Sequence, residues 1–321
     1  MNSETKLLTI VICTVGRTDL INDAIESMAE QPLSHDLYEI LLVDDSSDES
    51  TRKIFEKYQQ RYSHIRYTKN KGKGLLQARY TGQREALGEY ICYYDDDARA
   101  NPEWLVTAER VIRERKPVCF GGPFYPFYIT KKPAWYRDAY GSNHLGDKAR
   151  NLEVGEIFAG NNVVFEAKTL RESGGFDPDF CKPTDKWTYG DEDLPQHRLR
   201  QKYPNREFYF DPKLYVKHLV RPVRLSLLRA ARECFAIGRA YVKVYGVPES
   251  EQRAFPFIRR LIQNYGIFIL KSIFVSPFRS RDKYEFYQNY IVEDAFRNLK
   301  LAGIFFQTAK VILNRCARVA K

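Results

Sequence analysis

The first 120 residues alternate between two hydrophobic periods. Leu7–Cys13 (LLTIVIC) is a nearly unbroken apolar run, the pattern of a parallel strand buried on both faces. Leu20, Ile21, Ala24, Ile25 and Met28 then recur at helical spacing. They predict a helix over Thr18–Glu30 with Thr18 as its N-cap. The same two beats repeat. Strands are expected at Glu39–Val43, Ile65–Thr68, Glu89–Tyr94 and Val118–Gly121, and helices at Glu49–Tyr62, Leu75–Ala86 and from Pro102 to Glu114. Strand and helix thus alternate four times in about 115 residues, which predicts an α/β fold with right-handed βαβ units and a mostly parallel sheet. Ligands of such sheets sit at the carboxyl ends of the strands.

After Gly122 the alternation stops. Residues 123–155 are rich in Pro, Tyr, Trp and Gly and too long for an ordinary connection, so a functional loop is expected. A strand at Asn161–Phe165, a short helix at Ala167–Ser173, a helix at Leu194–Gln201 and edge strands at Phe208–Phe210 and Leu214–Val216 follow. From Arg224 onward the spacing is helical. The pattern divides the chain into an α/β domain over 1–220 and a helical C-terminal extension over 221–321.

Charge sharpens that division. Residues 221–321 hold 19 Lys and Arg against 7 Asp and Glu, while the first 220 residues hold 32 against 34. All of the net charge of +10 therefore lies in the last third. A basic, aromatic-rich helical segment fits peripheral contact with an anionic membrane or a solvated helical face, and nucleic acid is not expected as a partner. Gly266–Phe278 and Gly303–Leu313 are apolar but short, and are expected to dock rather than span. No run reaches the ~18 uninterrupted apolar residues of a membrane span. The six cysteines form no CxxC pair, and MNSETK leads directly into a strand without a signal-peptide pattern. The expected location is cytoplasmic, with peripheral contact at the inner face of the plasma membrane as an extension of that reading.

Polar clusters stand at three predicted strand ends: Thr14-Val15-Gly16-Arg17, Asp44-Asp45-Ser46-Ser47 and Asp95-Asp96-Asp97. Three adjacent aspartates repel one another unless a cation offsets them, and one or two carboxylates with substrate phosphates is how Mg²⁺ or Mn²⁺ usually binds. Asp44-Asp45 fits hydrogen bonding to a nucleobase or ribose, or an Asp-Ser turn into the next helix, with Asp48 or Ser47 as cap. Lys71-Gly-Lys-Gly-Leu-Leu-Gln-Ala-Arg79 places glycines, Lys73 and Arg79 where phosphates can approach, without the spacing of a Walker loop. Gly190-Asp191-Glu192-Asp193 supplies carboxylates suited to a general base, or the acidic first turn of a helix. His218 fits a metal ligand or a satisfied strand histidine. Trp187 and Tyr189 fit a stacking floor for a sugar or ordinary packing.

Taken in order, TIVICTVGR, ILLVDDSSDES, GKGLLQARYTGQREALGEYICYYDDDARANPEWL, FAGNNVVFEAKTLRESGGFDPDF, GDEDLPQHRLR and FDPKLYVKH resemble the inverting glycosyltransferases of family 2, over residues 7–220. The resemblance implies a GT-A fold and transfer of a sugar from a nucleotide-diphosphate donor, most often a UDP-sugar, in polysaccharide or glycolipid assembly. It implies that Thr14, Val15, Arg17, Asp44, Lys73, Arg79, Asp95 and Asp96 border the nucleotide. Asp95 and Asp97, in a DxD motif, would hold Mn²⁺ or Mg²⁺ together with His218. Gly160, Asn161, Asn162 and Trp187 would border donor and acceptor sugars. The catalytic base would come from Asp193, Asp191 or Glu192, with Asp193 preferred on the literal ED match. The acceptor would be a carbohydrate or lipid-linked sugar. The competing readings are a nucleotidyltransferase, for which TVGRTD is a poor phosphate loop, and a non-catalytic protein that binds nucleotide-sugar or polyanion.

Overall fold

The structure, a computed structural model, describes residues 6–17, 19–180, 189–247 and 255–319. Thr18 and Trp187 lie outside the described residues. By internal contacts the chain divides into two units. The first comprises Met1–Phe127, Gly141–Thr184 and Asp191–Leu219, and the second Tyr128–Tyr140, Asp185–Gly190 and Val220–Lys321.

The first unit is built on strands β1 (Leu8–Thr14), β2 (Tyr38–Asp44), β3 (Ile65–Lys69) and β4 (Tyr90–Asp95), parallel in the order β3-β2-β1-β4. Helices α1 (Ile21–Ala29), α2 (Ser50–Gln59) and α3 (Leu75–Glu85) connect them. Every residue of β1 and β2 is buried, which is why those segments read as continuous apolar runs. Successive side chains serve opposite faces: Ile10 and Ile12 pack with Ile25, Met28 and Trp104, whereas Val11 and Cys13 pack with Ala78, Tyr93 and Leu170. Two polar residues inside these strands are matched to each other, since Thr9 Oγ1 donates to Glu39 Oε1 at 2.7 Å and Arg66 pairs with Glu39 at 2.7 Å. Cys13, Cys92, Cys119 and Cys234 are free thiols.

Beyond β4 come β5 (Ala98–Ala100), α4 (Trp104–Arg115), β6 (Cys119–Gly121), β7 (Phe124–Phe127), β8 (Arg150–Asn151), β9 (Asn162–Glu166), α5 (Ala167–Glu172), α6 (Asp193–Lys202), β10 (Phe208–Phe210) and β11 (Val216–Leu219). Here the sheet becomes mixed. β9 inserts antiparallel between β4 and β6, and β10 runs parallel to β6. β8 lies antiparallel on β10, so Phe208–Phe210 is not the edge the sequence suggested. A second, three-stranded sheet has the order β5-β11-β7. The result is the helix-flanked, mostly parallel sheet expected of a GT-A fold, with a distinct helical C-terminal region.

Two element boundaries differ from expectation for local reasons. Asp211 accepts hydrogen bonds from the Lys213 and Leu214 backbone N–H groups, and this turn delays the last strand to Val216–Leu219, putting His218 on a strand. Residues 98–100 form β5 before α4 starts at Trp104, so the Asp95–Asp97 cluster precedes a strand and does not cap a helix.

In the second unit α7 (Leu227–Tyr245), α8 (Phe255–Leu270), α9 (Tyr287–Tyr290) and α10 (Phe296–Val319) follow. α10 packs on α7 and α8. A Cβ at Gly238 would lie 2.0 Å from the Lys300 carbonyl oxygen, and one at Gly303 would lie 2.2 Å from that of Phe235. Glycines at both positions allow α7 and α10 to meet backbone to backbone. Part of the long aromatic segment belongs here. Asn289 Nδ2 donates to the Trp135 carbonyl (2.6 Å) and to the Tyr140 hydroxyl (2.8 Å), and Arg137 pairs with Glu293 at 2.8 Å.

Candidate active site

The turn between β4 and β5 sorts the three aspartates. Asp95 and Asp97, two apart, turn to one side, and His218 Nε2 lies 3.3 Å from Asp95 Oδ2 and 3.2 Å from Asp97 Oδ1. Asp96 turns to the other side, where it is fully buried, accepts from Thr14 Oγ1 at 2.7 Å and pairs with Arg17 Nη2 at 2.7 Å. Burial pushes the Asp96 carboxyl up to about 6, against the pull of Arg17 and Thr14. His218 reaches the cluster because β11 pairs antiparallel with β5, opposing His218 to Ala98, one residue past Asp97.

Burial opposes a charge on His218, yet hydrogen bonds and charge from Asp95 and Asp97 outweigh it and raise the imidazole to about 9. Ligand atoms of Asp95, Asp97 and His218 all lie within 4.8 Å of one another. Two carboxylate oxygens and one imidazole nitrogen, half-buried to buried and bearing excess negative charge, form a donor set that fits a divalent cation such as Mn²⁺.

Arg79 joins this cluster to the second group of acids. It projects from α3, is 4% exposed, and its guanidinium lies 2.5 Å from Asp191 Oδ2, 3.7 Å from Glu192 Oε2 and 3.8 Å from Asp95 Oδ1. Its Nη2 also donates to the Gly160 carbonyl at 3.2 Å. A Cβ at Gly160 would come within 2.5 Å of that nitrogen, so glycine leaves the guanidinium its place. Burial disfavours the charge on Arg79, but Asp191, Glu192 and Asp95 hold it firmly protonated. Glu192 is held well above the usual carboxylate range, first by burial and then by the neighbouring Asp191, with Arg79 opposing. Asp193 is the first residue of α6, where the helix dipole favours its charge.

The nucleotide-side residues fall into two groups. Asp44 is fully buried and accepts at 2.8 Å from each of the Ser46 backbone N–H, the Tyr67 hydroxyl and Lys69 Nζ. Burial would raise its carboxyl, but Lys69, Ser46 and Tyr67 hold it below the usual range. Asp45 accepts from Asn70 Nδ2 and from the Gly74 backbone N–H, both at 2.8 Å, which ties the glycine-rich loop to the end of β2. Asp48 accepts from the Ser50 N–H at 2.9 Å, but the N-cap of α2 is Glu49 and makes no side-chain capping bond, so neither Asp48 nor Ser47 holds the expected cap position. Lys73 and Val15 are exposed.

Of the expected sugar-bordering residues, Asn162 has its side chain used internally: Trp104 Nε1 donates to it, and it donates to the Pro123 and Leu214 carbonyls. Asn161 is 5% exposed and its Oδ1 has no hydrogen-bond partner among the described residues. The sequence pattern does not single out Tyr67, Lys69 or Phe176. Register offered a signal for one of them, since Lys69 stands opposite Asp44 in the parallel β2–β3 pair. Phe176, whose ring lies 5.8 Å from the Arg79 guanidinium, gave none.

Comparison with known proteins agrees with this fold. A glucosyl-dolichyl phosphate glucuronosyltransferase of Haloferax volcanii is 23% identical over 210 residues, covering 63% of this chain and 66% of the relative. A cholesterol galactosyltransferase of Borreliella burgdorferi is 34% identical over 123 residues, 38% of this chain and 34% of the relative. The chain thus spans less than two thirds of the length of either. Among solved structures, S. aureus TarS 1-349 in complex with UDP-GlcNAc superposes with a TM-score of 0.56 at 14% identity, over 97% of this chain and 92% of that one. The mannosyltransferase PcManGT from Pyrobaculum calidifontis, in complex with GDP-Man and Mn²⁺, gives 0.56 at 17% identity, over 99% and 81%. These two establish the likeness of fold. The model of glycosyl transferase family 2 matches residues 9–169, half of the chain, and the protein belongs to that family.

Proposed function

We propose that the protein transfers a sugar from a nucleotide-diphosphate donor to an acceptor hydroxyl with inversion at the anomeric carbon. The observation that carries this reading is Arg79, which joins the Asp95/Asp97/His218 cluster to the carboxylates Asp191 and Glu192. Metal-ligand chemistry and a candidate base are thereby held side by side.

A divalent cation bound by Asp95, Asp97 and His218 would stabilise the charge that develops on the leaving diphosphate. The imidazole in the donor set favours Mn²⁺ over Mg²⁺. Asp44, kept ionised by Lys69 and Tyr67, lies at the end of β2, where a nucleobase or ribose of the donor would be bound. Lys73 and Val15, both exposed, would meet the same nucleotide.

Within the acidic triplet, Asp191 is the favoured base. The Arg79 contact at 2.5 Å fixes its carboxylate in direction, whereas Glu192 is pushed toward its protonated form. Asp193, preferred on the literal sequence match, stands in the helix's first turn instead. Asp191 takes the acceptor's proton as that oxygen attacks from the face opposite the leaving group, and one displacement inverts the centre. Asn161, with its unengaged Oδ1, borders the donor sugar.

UDP is the proposed nucleotide, and the acceptor a carbohydrate or lipid-linked sugar at the inner face of a membrane. Two relatives named for lipid acceptors support that acceptor class. The test is nucleotide release from a panel of UDP- and GDP-sugars with Mn²⁺, with product configuration read by NMR. An α-linked donor should give a β-linked product. Retention of configuration, or no release from any donor, would overturn the reading.

A further inference from the structure

Helix α8, with the π-helical turn Lys271–Val275 that continues it, carries large apolar side chains on its exposed side. The stretch Arg259–Phe278 is 20 residues long, and only 6% of its 18-residue apolar window is buried. Its outward side bears Ile262 (67% exposed), Ile269, Leu270, Ile273 (60%), Phe274 (62%) and Phe278 (87%). Its inward side bears Phe268, whose ring lies 6.1 Å from that of Phe296, together with polar groups. Asn264 is 9% exposed and accepts from Asn298 of α10 at 3.1 Å, and Lys271 pairs with Asp294 at 3.1 Å. A helix bathed in water presents a polar outward side.

The surroundings identify what covers that row. Arg259 and Arg260 are exposed at one end, and Arg281 and Lys283 just beyond the other, with Asp282 as the acid between them. The region they belong to holds 19 basic residues against 7 acidic ones. An apolar row with cations at both ends matches a surface that is apolar below and anionic above. We propose that α8 docks in the plane of an anionic lipid bilayer, with its Ile and Phe side chains at the acyl boundary and the arginines on headgroup phosphates.

By length and composition the stretch is sufficient to cross a bilayer. The mid-helix ties to Asn298 and Asp294 argue for the in-plane mode, because they hold one side against protein along the helix, and crossing would carry the Lys271–Asp294 pair into hydrocarbon. The docking surface stands apart from the proposed sugar transfer, since lipid binding needs no donor.

The test is co-sedimentation of the full chain with phosphatidylcholine vesicles and with vesicles holding about 30 mol% phosphatidylglycerol. Wild type should bind the anionic vesicles at least about tenfold better than the neutral ones. Ile273→Glu/Phe274→Glu should lose at least about tenfold in that binding while melting like wild type, because both side chains are already exposed. Arg259→Glu/Arg281→Glu should weaken binding most at low salt. Unchanged binding by the Ile273/Phe274 variant, or no vesicle binding by wild type, would overturn the proposal. So would a wild-type dimer that this variant dissociates without any lipid binding, which would assign the row to a second copy. Resistance of the bound protein to carbonate extraction would contradict the in-plane mode. Mn²⁺–UDP binding measured on the same samples should not change, which separates failure of this surface from failure of the donor site.

Discussion

Arg79 and His218 each place a buried cation between carboxylates, and the consequences differ because one can lose its proton and the other cannot. Arg79 is a fixed strut that orients Asp191. Asp191→Asn should keep the fold and Mn²⁺–UDP affinity but reduce kcat by about 10²- to 10⁴-fold, as expected for loss of a general base. Single-turnover assays with circular dichroism as a control check this; an equal loss in Asp193→Asn alone would move the assignment. His218→Gln should weaken Mn²⁺ binding at least about tenfold, read by electron paramagnetic resonance titration without substrate. Unaltered Mn²⁺ affinity would remove His218 from the ligand set. Gly160→Ala would push a methyl group into Arg79, so kcat should fall while nucleotide affinity holds.

At the scale of elements, the first four strands and three helices were legible because each buried strand is almost purely apolar and each helix repeats at its own period. Asp95 and Asp97 are separated from Asp96 by the turn between β4 and β5, which the run of three aspartates does not itself specify. The antiparallel insertion of β9, the pairing of β8 with β10 and the shift of the last strand to Val216–Leu219 were not legible. They depend on partners distant in sequence and on the Asp211 turn. The same limit applies to the acids: sequence brought Asp191, Glu192 and Asp193 together as a motif, but only the position of Arg79 distinguishes them.

One element carries a pH prediction. His64, just before β3, is 6% exposed, stacks on His35 at 3.9 Å, and neither of its ring nitrogens has a hydrogen-bond partner among the described residues. Burial, then His35 and Lys6, lowers it from 6.5 to about 4. The folded state therefore holds fewer protons than the unfolded chain in that window. Its contribution is fully present above about pH 6.5 and lost as pH falls toward 4, on the order of 3 kcal/mol. Melting curves of His64→Phe should be flatter than wild type between those values; parallel curves would contradict the assignment.

At the scale of the whole molecule, the two units are stabilised differently. The first rests on a sheet with apolar clusters on both faces, and the second on helices brought close by Gly238 and Gly303. Gly303→Val should strain the α7–α10 crossing by about 2–3 kcal/mol, visible as a lowered melting temperature. The charge division at residue 220 runs parallel to this difference: the near-neutral part carries the candidate active site, and the basic part carries the outward apolar helix.

The central claim is that Asp95, Asp97 and His218 bind a nucleoside diphosphate through a divalent cation. Isothermal titration of UDP, GDP and dTDP, each with Mn²⁺ and again with EDTA, tests it most directly. One diphosphate should bind, with affinity weakened at least about tenfold by EDTA and by Asp97→Asn. Binding that neither treatment changes, or no binding of any of the three, would contradict it.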